Sequence, residues 1–414
     1  MAAGQSSISV EEHLATILAE IEPLPPRPIR LDVAGGRVLA ADVTARVDIP
    51  SFDNSSMDGY AVRRADLLAA TAENPVTLPV VADLAAGTGQ NPSIQPGEVA
   101  RIMNGAPIPD GADAVVPIED TDLGSTRVAI RQVPAPAAFI RRTGGDTRTG
   151  DRVLRAGVRL TARRIAAAAA SGCDTVSVHP APRVGILSTG SELVELGEPL
   201  QRGQIHDSNS YLLAAAVAQA GGDPVRLGLV PDDEDRFRQM LADHAGEVDA
   251  FLMSGGVSVG AYDVTKAVLS TLGTVHFSAV RMQPGKPQAF GRWTDGTPIF
   301  ALPGNPVSAF VSFEVFVRPA LRRLQGLTEL NRPTEQATVL GGWSSPAGRR
   351  QFMPVTIERD GLDGPALGIR PATAGGSGSH LVGSLAVADA LAIVDESVEQ
   401  VRAGETLTVM LVES

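Results

Sequence analysis

The chain has 414 residues, 43% of them apolar, which is enough to bury the cores of about two to four domains. Its 35 lysine and arginine residues against 47 aspartate and glutamate residues give a formal charge of −12, which argues against a general affinity for nucleic acid or an anionic membrane. A bound anion must therefore be held locally or through a metal ion.

Cysteine usage and hydropathy indicate a cytoplasmic protein. The single cysteine, Cys173, excludes an intrachain disulfide and a cysteine-cluster metal site. The N-terminal segment contains Glu11 and Glu12 and lacks the apolar core of a signal peptide, and no run of about 18 uncharged apolar residues occurs. We therefore expect a cytoplasmic chain with no membrane partner.

The N-terminal part begins with a helix and continues as a β-rich module. Ser9-Val10-Glu11-Glu12 has the spacing of a capping box before an apolar helical face. From Arg46 to about Asp146 prolines and glycines recur every few residues between short β-type runs, which predicts a small all-β module. An alanine-rich segment, 162–170, then predicts a helix that ends at Gly172.

Beyond residue 183 apolar runs alternate with amphipathic segments of helix length, which predicts a parallel α/β sheet. The runs are Val184–Leu187, Val225–Val230, Ala250–Met253, Val275–Phe277 and Ile299–Leu302. A last helix is predicted from Val307 towards Leu324. After Thr328 short strands with glycine-rich connections favour a small C-terminal β barrel.

Two of the predicted strands run into glycine-rich turns, Ser254–Gly260 and Pro303–Pro306, and each turn precedes a helical pattern. Backbone N–H groups and a helix N-terminus then meet at one point, which suits a phosphate. Between the two turns, Lys286 stands in the sequence Pro284-Gly285-Lys286-Pro287, held by flanking prolines. The pattern predicts an anionic ligand at the carboxyl edge of the sheet.

Three carboxylates follow predicted strand ends at this edge: Glu192, Asp232 and Asp263. Because parallel strands open on the same edge, these side chains are expected to converge. Carboxylates beside phosphate-binding loops favour a divalent cation, and Mg²⁺ suits them best. The alternative is that Glu192 and Asp232 only cap helices.

Four further candidates lie in the β-rich segments of the chain. Asp58 and Asp146 stand in Asp-Gly and Gly-Asp sequences, which by themselves are more typical of turns than of sites. Arg349 and Ser379, the latter followed by His380, read as a surface arginine and a flexible loop unless the fold brings them to the sheet edge.

Five motifs occur in order along the chain: Phe52–Ala61, Ser188–Leu193, Ser254–Gly260, Pro284–Pro287 and Leu302–Ser308. Together they resemble the molybdopterin molybdenumtransferase family, the MoeA and gephyrin E-domain group, and the resemblance spans essentially the whole chain.

The resemblance implies a multidomain α/β plus β fold in an elongated subunit of a homodimer. The implied segments are an N-terminal helix and hinge packing on the α/β domain (1–28), a small mixed domain (29–45 and 147–177), an inserted β-rich module (46–146), a parallel α/β molybdopterin-binding domain (178–327) and a C-terminal β barrel (328–414).

The implied activity is Mg²⁺-dependent insertion of molybdate into adenylylated molybdopterin, with hydrolysis of the adenylate to release molybdenum cofactor and AMP. Other molybdenum cofactor biosynthesis proteins would be partners. Two alternatives stay open, a molybdopterin adenylyltransferase one step upstream and a non-catalytic scaffold of the gephyrin E-domain type. The choice between molybdate and tungstate also stays open.

The resemblance also implies roles for individual positions. Glu192, Asp232 and Asp263 would hold Mg²⁺, and the implied catalytic set adds Asp58, Asp146 and Lys286, with Asp58 and Asp146 reaching the partner subunit's site. The positions that would bind the cofactor and molybdate are Thr189, Gly190, Gly255, Gly256, Ser258, Gln283, Pro303, Gly304, Asn305, Ser308, Arg349 and Ser379. Gln283 stands where several family members have lysine, which would weaken anion binding.

Overall fold

The structure, a computed structural model, describes residues 7–257, 264–359, 367–373 and 378–412. The chain divides into two compact units, one made of Met1–Arg27, Gly36–Ala40 and Val178–Ser414 and the other of Pro28–Gly35 and Ala41–Ser177. Within the described residues, no helix has both the length and the apolar character needed to cross a membrane.

The helices, with one π-helical turn between the sixth and seventh, are α1 (Val10–Glu20), α2 (Ala162–Ala170), α3 (Asn209–Gln219), α4 (Glu234–His244), α5 (Val264–Ser270), α6 (Pro306–Ser312), the π turn Phe313–Val317, α7 (Arg318–Leu324) and α8 (Val382–Ala386). Short 3₁₀ helices are Leu31–Val33, Arg64–Leu67 and Ile118–Asp120.

The strands of the first part of the chain are β1 (Arg27–Arg30), β2 (Val38–Leu39), β3 (Val43–Thr44), β4 (Asn54–Ser55), β5 (Gly59–Val62), β6 (Val76–Leu84), β7 (Val99–Ile102), β8 (Ala114–Pro117), β9 (Arg127–Ile130), β10 (Ile140–Arg141) and β11 (Arg152–Leu154). Those of the middle part are β12 (Thr175–His179), β13 (Arg183–Thr189), β14 (Leu193–Val194), β15 (Ile205–His206), β16 (Asp223–Val230), β17 (Ala250–Ser254), β18 (His276–Ala279), β19 (Met282–Gln283), β20 (Pro287–Arg292) and β21 (Pro298–Leu302). The last part contributes β22 (Thr334–Val339), β23 (Trp343–Ser344), β24 (Arg350–Arg359), β25 (Leu367–Pro371), β26 (Ala390–Val394), β27 (Gln400–Val401) and β28 (Thr406–Leu411).

The smaller unit is built around a five-stranded sheet in the order β8-β5-β7-β6-β9. The β-type runs of the sequence at 76–81, 99–103, 114–118 and 127–133 form β6 to β9, so the all-β character is confirmed. The alanine-rich helix α2 also forms as predicted, and Gly172 just after it has φ +79°, the left-handed conformation that ends a helix at low cost.

A central sheet in the larger unit is buried on both faces because its strands are apolar throughout. Along β17, Ala250 and Leu252 enter one hydrophobic core, whereas Phe251 and Met253 enter a second core. The first core also contains residues of α1, α3, α6 and α7, and the second contains residues of α4 and α5. The period of two along an extended strand thus produces helices on both sides of one sheet.

The strand order of this sheet is β16-β13-β17-β21-β20-β18. The β13 strand pairs in parallel with both β16 and β17, and β17 pairs in parallel with β21. The chain therefore moves from β13 to one side and then crosses back to the other, so the connections reverse between β13 and β17. A crevice opens at the carboxyl ends of the strands at such a reversal.

One part of the parallel-sheet prediction is wrong. The run Val275–Phe277 does not pair with a parallel neighbour: β18 pairs antiparallel with β20, which itself pairs antiparallel with β21. The sheet is mixed because only residues 293–297 separate β20 from β21, so the two consecutive strands run in opposite directions. The start of an antiparallel strand then lies at the carboxyl edge of its parallel neighbours.

The predicted last helix, 307–324, is a helical run with a π turn at Phe313–Val317. The turn carries Glu314, which is 2% exposed and accepts two hydrogen bonds from Arg332, at 2.8 and 2.9 Å. A buried carboxylate requires such pairing, since desolvation of an unpaired charge is very costly. The pair connects this helix to the segment that leads into β22.

The C-terminal barrel is confirmed. Strands β24, β25, β22, β28 and β26 pair in sequence, and β26 pairs back with β24 to close the ring. The short strands that the sequence predicts at 337–340, 352–357, 391–394 and 406–412 form β22, β24, β26 and β28. The sequence does not predict β25, whose pairing with β22 and β24 completes closure. With the barrel, the all-β module and the α/β sheet in place, the predicted fold class is confirmed.

Helix α1 packs on the first core with the predicted capping box: the Ser9 side chain accepts from the Glu12 N–H, and Glu12 accepts from the Ser9 N–H. On its buried face, His13 is 3% exposed and lies edge-on to the Phe316 ring, with 4.7 Å between ring centroids. Burial lowers the pKa of His13 from 6.5 to about 4, because desolvation disfavours the charged imidazolium.

We expect His13 to make stability depend on pH. A depressed folded-state pKa means that the unfolded chain binds the extra proton, so the full stability is present above about pH 6.5 and is lost as the pH falls towards 4. At pH 5 the free energy of unfolding should be about 2 kcal/mol lower than at pH 7 from this group alone. Urea unfolding of His13→Leu should show a correspondingly weaker pH dependence, and the exposed His276→Asn variant should behave like wild type. Equal pH dependence in His13→Leu and wild type would contradict the assignment.

Candidate active site

A cavity of about 970 Å³ lies at the carboxyl edge of the central sheet. Its walls come from the loops that follow β13, β17 and β21, from the segment that enters α3 and from the lysine turn before β20. This position coincides with the reversal of strand order between β13 and β17. The fold therefore forms the cavity where an open α/β sheet ordinarily binds a ligand.

The loops that follow β13, β17 and β21 contact one another at Gly255. Ser188 pairs with Ser254 in the last step of the β13–β17 register, and the Gly255 N–H donates to the Leu302 carbonyl at 3.0 Å. Gly255 has φ +100°, and a Cβ atom there would stand 2.7 Å from the Thr189 carbonyl oxygen. Only glycine satisfies both the left-handed backbone and this close approach.

Two of the three predicted metal-binding acids line the cavity. The Glu192 carboxylate lies over Gly190, where a Cβ atom would meet its Oε2 at 2.7 Å. Asp232 Oδ2 accepts the Ser191 N–H at 3.2 Å, which holds the end of β16 to the loop after β13. Asp263 and Ser258 lie outside the described residues. Within the described ranges, no group of three His, Cys, Asp or Glu side chains is placed to hold a metal ion.

The lysine turn is held by a buried amide. Gln288, 2% exposed, donates through Nε2 to the Gly285 carbonyl at 2.5 Å and to Ser312 Oγ at 2.7 Å. The Val280 N–H donates to the Lys286 carbonyl at 2.8 Å. These contacts fix the backbone of the turn against α6. Lys286, which lines the cavity, is therefore held on a rigid turn.

The barrel brings two distant side chains to the same place. Strand β19 pairs in parallel with β24, and Arg349 just before β24 donates through Nη1 to Gln283 Oε1 at 3.2 Å. Ser379 Oγ accepts from Asn305 Nδ2 at 2.8 Å, and the Ser379 carbonyl accepts the Val307 N–H at 3.1 Å. Tertiary pairing thus places Ser379 in the cavity wall, whereas Arg349 contacts the lining residue Gln283 without being one of the described residues that line the cavity.

Most of the predicted site residues of the larger unit line the cavity: Thr189, Gly190, Glu192, Asp232, Gly255, Gly256, Gln283, Lys286, Pro303, Gly304, Asn305, Ser308 and Ser379. Asp58 and Asp146 belong to the smaller unit. There Asp58 Oδ1 accepts the Asn104 N–H at 2.7 Å, and the Asp146 N–H donates to the Ile49 carbonyl at 3.0 Å.

One wall of the cavity was not predicted from the sequence, and it consists of His206, Asp207, Ser208 and Asn209. These residues run from the last position of the short strand β15 to the first position of α3. A run of polar residues before an apolar helix is typical of an ordinary N-cap, so the pattern by itself does not indicate a binding role. The sequence signal that points to this wall is its position in the connection between β13 and α3, which begins with the Ser188–Leu193 motif.

Charge is distributed unevenly in the cavity. Glu192, Asp207 and Asp232 lie on the side of β13 and β16, whereas Lys286 stands at the start of β20 on the other side of the sheet order. Arg349 reaches Gln283 on that same side. An elongated ligand with a donor-rich end and an oxyanion end would match this arrangement.

We expect Gly255→Ala to destabilise the protein more than Gly296→Ala. Gly296 has φ +92°, close to the value at Gly255, but a Cβ atom there would meet no atom within 4 Å. Both variants carry the left-handed cost of about 1–2 kcal/mol, and only Gly255→Ala must also displace the Thr189 backbone. Thermal and urea midpoints of the two variants provide the comparison, and equal losses would show that the close approach is unimportant.

Three family profiles match the chain in order. The MoeA N-terminal region (domain I and II) matches residues 8–172, the probable molybdopterin binding domain matches residues 185–323, and the MoeA C-terminal region (domain IV) matches residues 336–412. The three matches account for both compact units.

Full-length relatives and solved structures agree with these profiles. Molybdopterin molybdenumtransferase 2 of Mycobacterium tuberculosis is 44% identical over 407 residues, which are 97% of this chain and 98% of that protein. The molybdopterin molybdenumtransferase of Haemophilus influenzae is 36% identical over 385 residues, 92% of each chain. The crystal structure of a molybdopterin biosynthesis MoeA protein from Pyrococcus horikosii matches with a TM-score of 0.83 at 30% identity, covering 99% of this chain and 100% of that one.

Proposed function

We propose that this chain, which belongs to the molybdopterin molybdenumtransferase (MoeA) family, is a transferase of molybdenum cofactor biosynthesis. In the proposed reaction, molybdate is inserted at the dithiolene of adenylylated molybdopterin, and hydrolysis of the adenylate releases molybdenum cofactor and AMP.

The observation that carries the proposal is the composition of one cavity. Glycine-rich loops, the carboxylates of Glu192 and Asp232 and the Lys286 turn all line a space of about 970 Å³ at the point where the strand order reverses. Phosphate oxygens suit the backbone N–H groups of the loops. An oxyanion such as molybdate suits Lys286 and Arg349, which join a flexible point charge to a planar guanidinium.

The donor set fits Mg²⁺. This ion is commonly held by one or two carboxylates together with substrate phosphates and water, and Glu192 and Asp232 supply two carboxylates beside the glycine loop. When bound, Mg²⁺ would neutralise charge on the pyrophosphate. Asp263, the third proposed ligand, lies outside the described residues.

The protein's own groups would then position the substrate. The Gln288 contacts hold the Lys286 turn rigid, so its ammonium meets molybdate without reordering of the backbone. The hydrogen bond between Asn305 and Ser379 keeps the barrel loop at the cavity, beside the buried Ser308.

We expect Asp232→Asn to reduce AMP release from adenylyl-molybdopterin by roughly 100-fold or more, because it removes one anionic ligand for the cation that offsets phosphate charge. The matched control is Asp235→Asn, which makes the same change on the exposed first turn of α4. Quantified AMP and inserted molybdenum are the readouts. Unchanged AMP release in Asp232→Asn, with Asp235→Asn also active, would reject the assignment.

The same assay separates the upstream adenylyltransferase. Incubation of the wild-type protein with ATP and molybdopterin, without molybdate, should yield no adenylyl-molybdopterin. Its accumulation would favour the upstream reaction instead. Loss of all activity with an intact fold would favour a scaffold.

We propose further that the enzyme acts as a homodimer in which Asp58 and Asp146 serve the partner subunit's site. Co-expressed Asp58→Asn and Asp232→Asn chains, each inactive alone, should regain activity, because statistical pairing leaves about a quarter of the sites intact. Activity that stays at the level of the single variants would place these acids in the site of their own subunit.

A further inference from the structure

One acid in the cavity wall is buried, and only one of its two carboxylate oxygens accepts hydrogen bonds. Asp207 is 1% exposed, and its Oδ1 accepts from Ser188 Oγ and from the Ser210 N–H, both at 3.1 Å. Its Oδ2 is buried and meets no donor among the residues that the structure describes. A buried carboxylate oxygen without a donor loses its hydration and gains nothing in return, so a merely structural acid would ordinarily have both oxygens paired.

Asn209 presents a second acceptor. Its Nδ2 donates to Ser254 Oγ at 2.7 Å and to the Gly304 carbonyl at 2.6 Å, which uses both of its hydrogens. A flipped amide would place oxygen against the Gly304 carbonyl, so the network fixes the orientation. Asn209 Oδ1 is then left buried and without a hydrogen-bond partner in the described part of the chain.

Both residues line the cavity, and their free oxygens can only accept hydrogen bonds. A phosphate or molybdate oxygen is also an acceptor and would be repelled by Asp207. The proposed Mg²⁺ is already assigned to Glu192 and Asp232, which line the same cavity. The complementary ligand group is therefore an N–H donor.

We propose that Asp207 and Asn209 form an acceptor subsite that binds the exocyclic amino group of a nitrogen heterocycle. The inference rests on the proposed function for its two sources, since both the pterin and the adenine of adenylyl-molybdopterin carry such a group. Through Ser188, Ser254 and Gly304 the subsite contacts the ends of β13, β17 and β21, whereas Lys286 precedes β20, which lies beyond β21 in the sheet order. The subsite holds one end of the ligand while the oxyanion meets the basic side.

The competing explanation is that Asp207 only caps α3 through Oδ1. Asp207→Asn separates the two roles, because the amide oxygen can keep the bonds from Ser188 and Ser210 while an NH₂ group replaces Oδ2. A donor then faces the ligand's donor. The matched control is Asp389→Asn in the barrel, where Asp389 Oδ2 likewise accepts a backbone N–H, that of Ile357 at 2.7 Å.

The test is calorimetric titration of the full chain with two ligand pairs that differ only by an amino-to-oxo exchange, pterin against lumazine and AMP against IMP. In one pair, the wild type should bind the amino member about tenfold or more tightly, the effect of one hydrogen bond to a charged group. Asp207→Asn should abolish that preference, and Asp389→Asn should retain it. The ligand pair that shows the preference identifies whether the subsite binds the amino group of the pterin or that of the adenine.

The proposal is overturned if wild type prefers the amino member in neither pair, or if a folded Asp207→Asn keeps the preference. The wild-type comparison does not depend on any variant folding. Because the titrations contain no molybdate and need no turnover, an amino preference together with an inactive molybdate assay would reject the proposed reaction and leave the subsite standing.

Discussion

The parallel pairing of β13 with β17 is the contact from which the geometry of the cavity follows. Ser188 opposite Ser254 ends the register, and the two chains then leave the sheet as adjacent loops. Gly255 approaches the Thr189 carbonyl so closely that any side chain would intrude. A shift of one residue in this register would exchange the two buried faces of β17 and separate the loops, so the cores and the site depend on the same alignment.

The cores explain why that register is stable. Consecutive residues of β13, β17 and β21 alternate between two hydrophobic clusters, each covered by helices. Each large apolar side chain contributes about 1.5–3 kcal/mol by leaving water. That energy compensates for polar groups which the fold leaves incompletely paired at the strand ends, Asp207 above all.

The main contribution of the barrel to the site is to position side chains beside the α/β sheet. Its strand β24 pairs with β19 beside the lysine turn, and its loop at Ser379 bonds to Asn305. Ser379 thereby lines a cavity whose other walls belong to the α/β sheet, and Arg349 contacts the lining residue Gln283. The buried pair of Glu314 and Arg332 links the same two regions, so the relation of barrel to sheet is held at several points.

Local patterns in the sequence were sufficient for the capping box at Ser9, for the four parallel strands and for the glycine loops, because each depends on neighbouring residues and a repeating period. Motif order was sufficient for the family. Sequence did not reveal the antiparallel return of β20 or the closing strand β25, since strand partners are chosen by contacts between distant segments.

In the site, Glu192, Asp232 and the two glycine-rich turns could be predicted from the sequence because each follows a predicted strand. Residues at the carboxyl ends of parallel strands share one edge of the sheet. Asp207 and Asn209 looked like an ordinary helix start. Only the tertiary structure shows an unpaired carboxylate oxygen in a cavity wall, because hydrogen-bond satisfaction depends on which groups from Ser188, Ser254 and Gly304 surround it. Periodicity along the chain determines the elements, whereas pairing across the chain decides which polar atoms are left for a ligand.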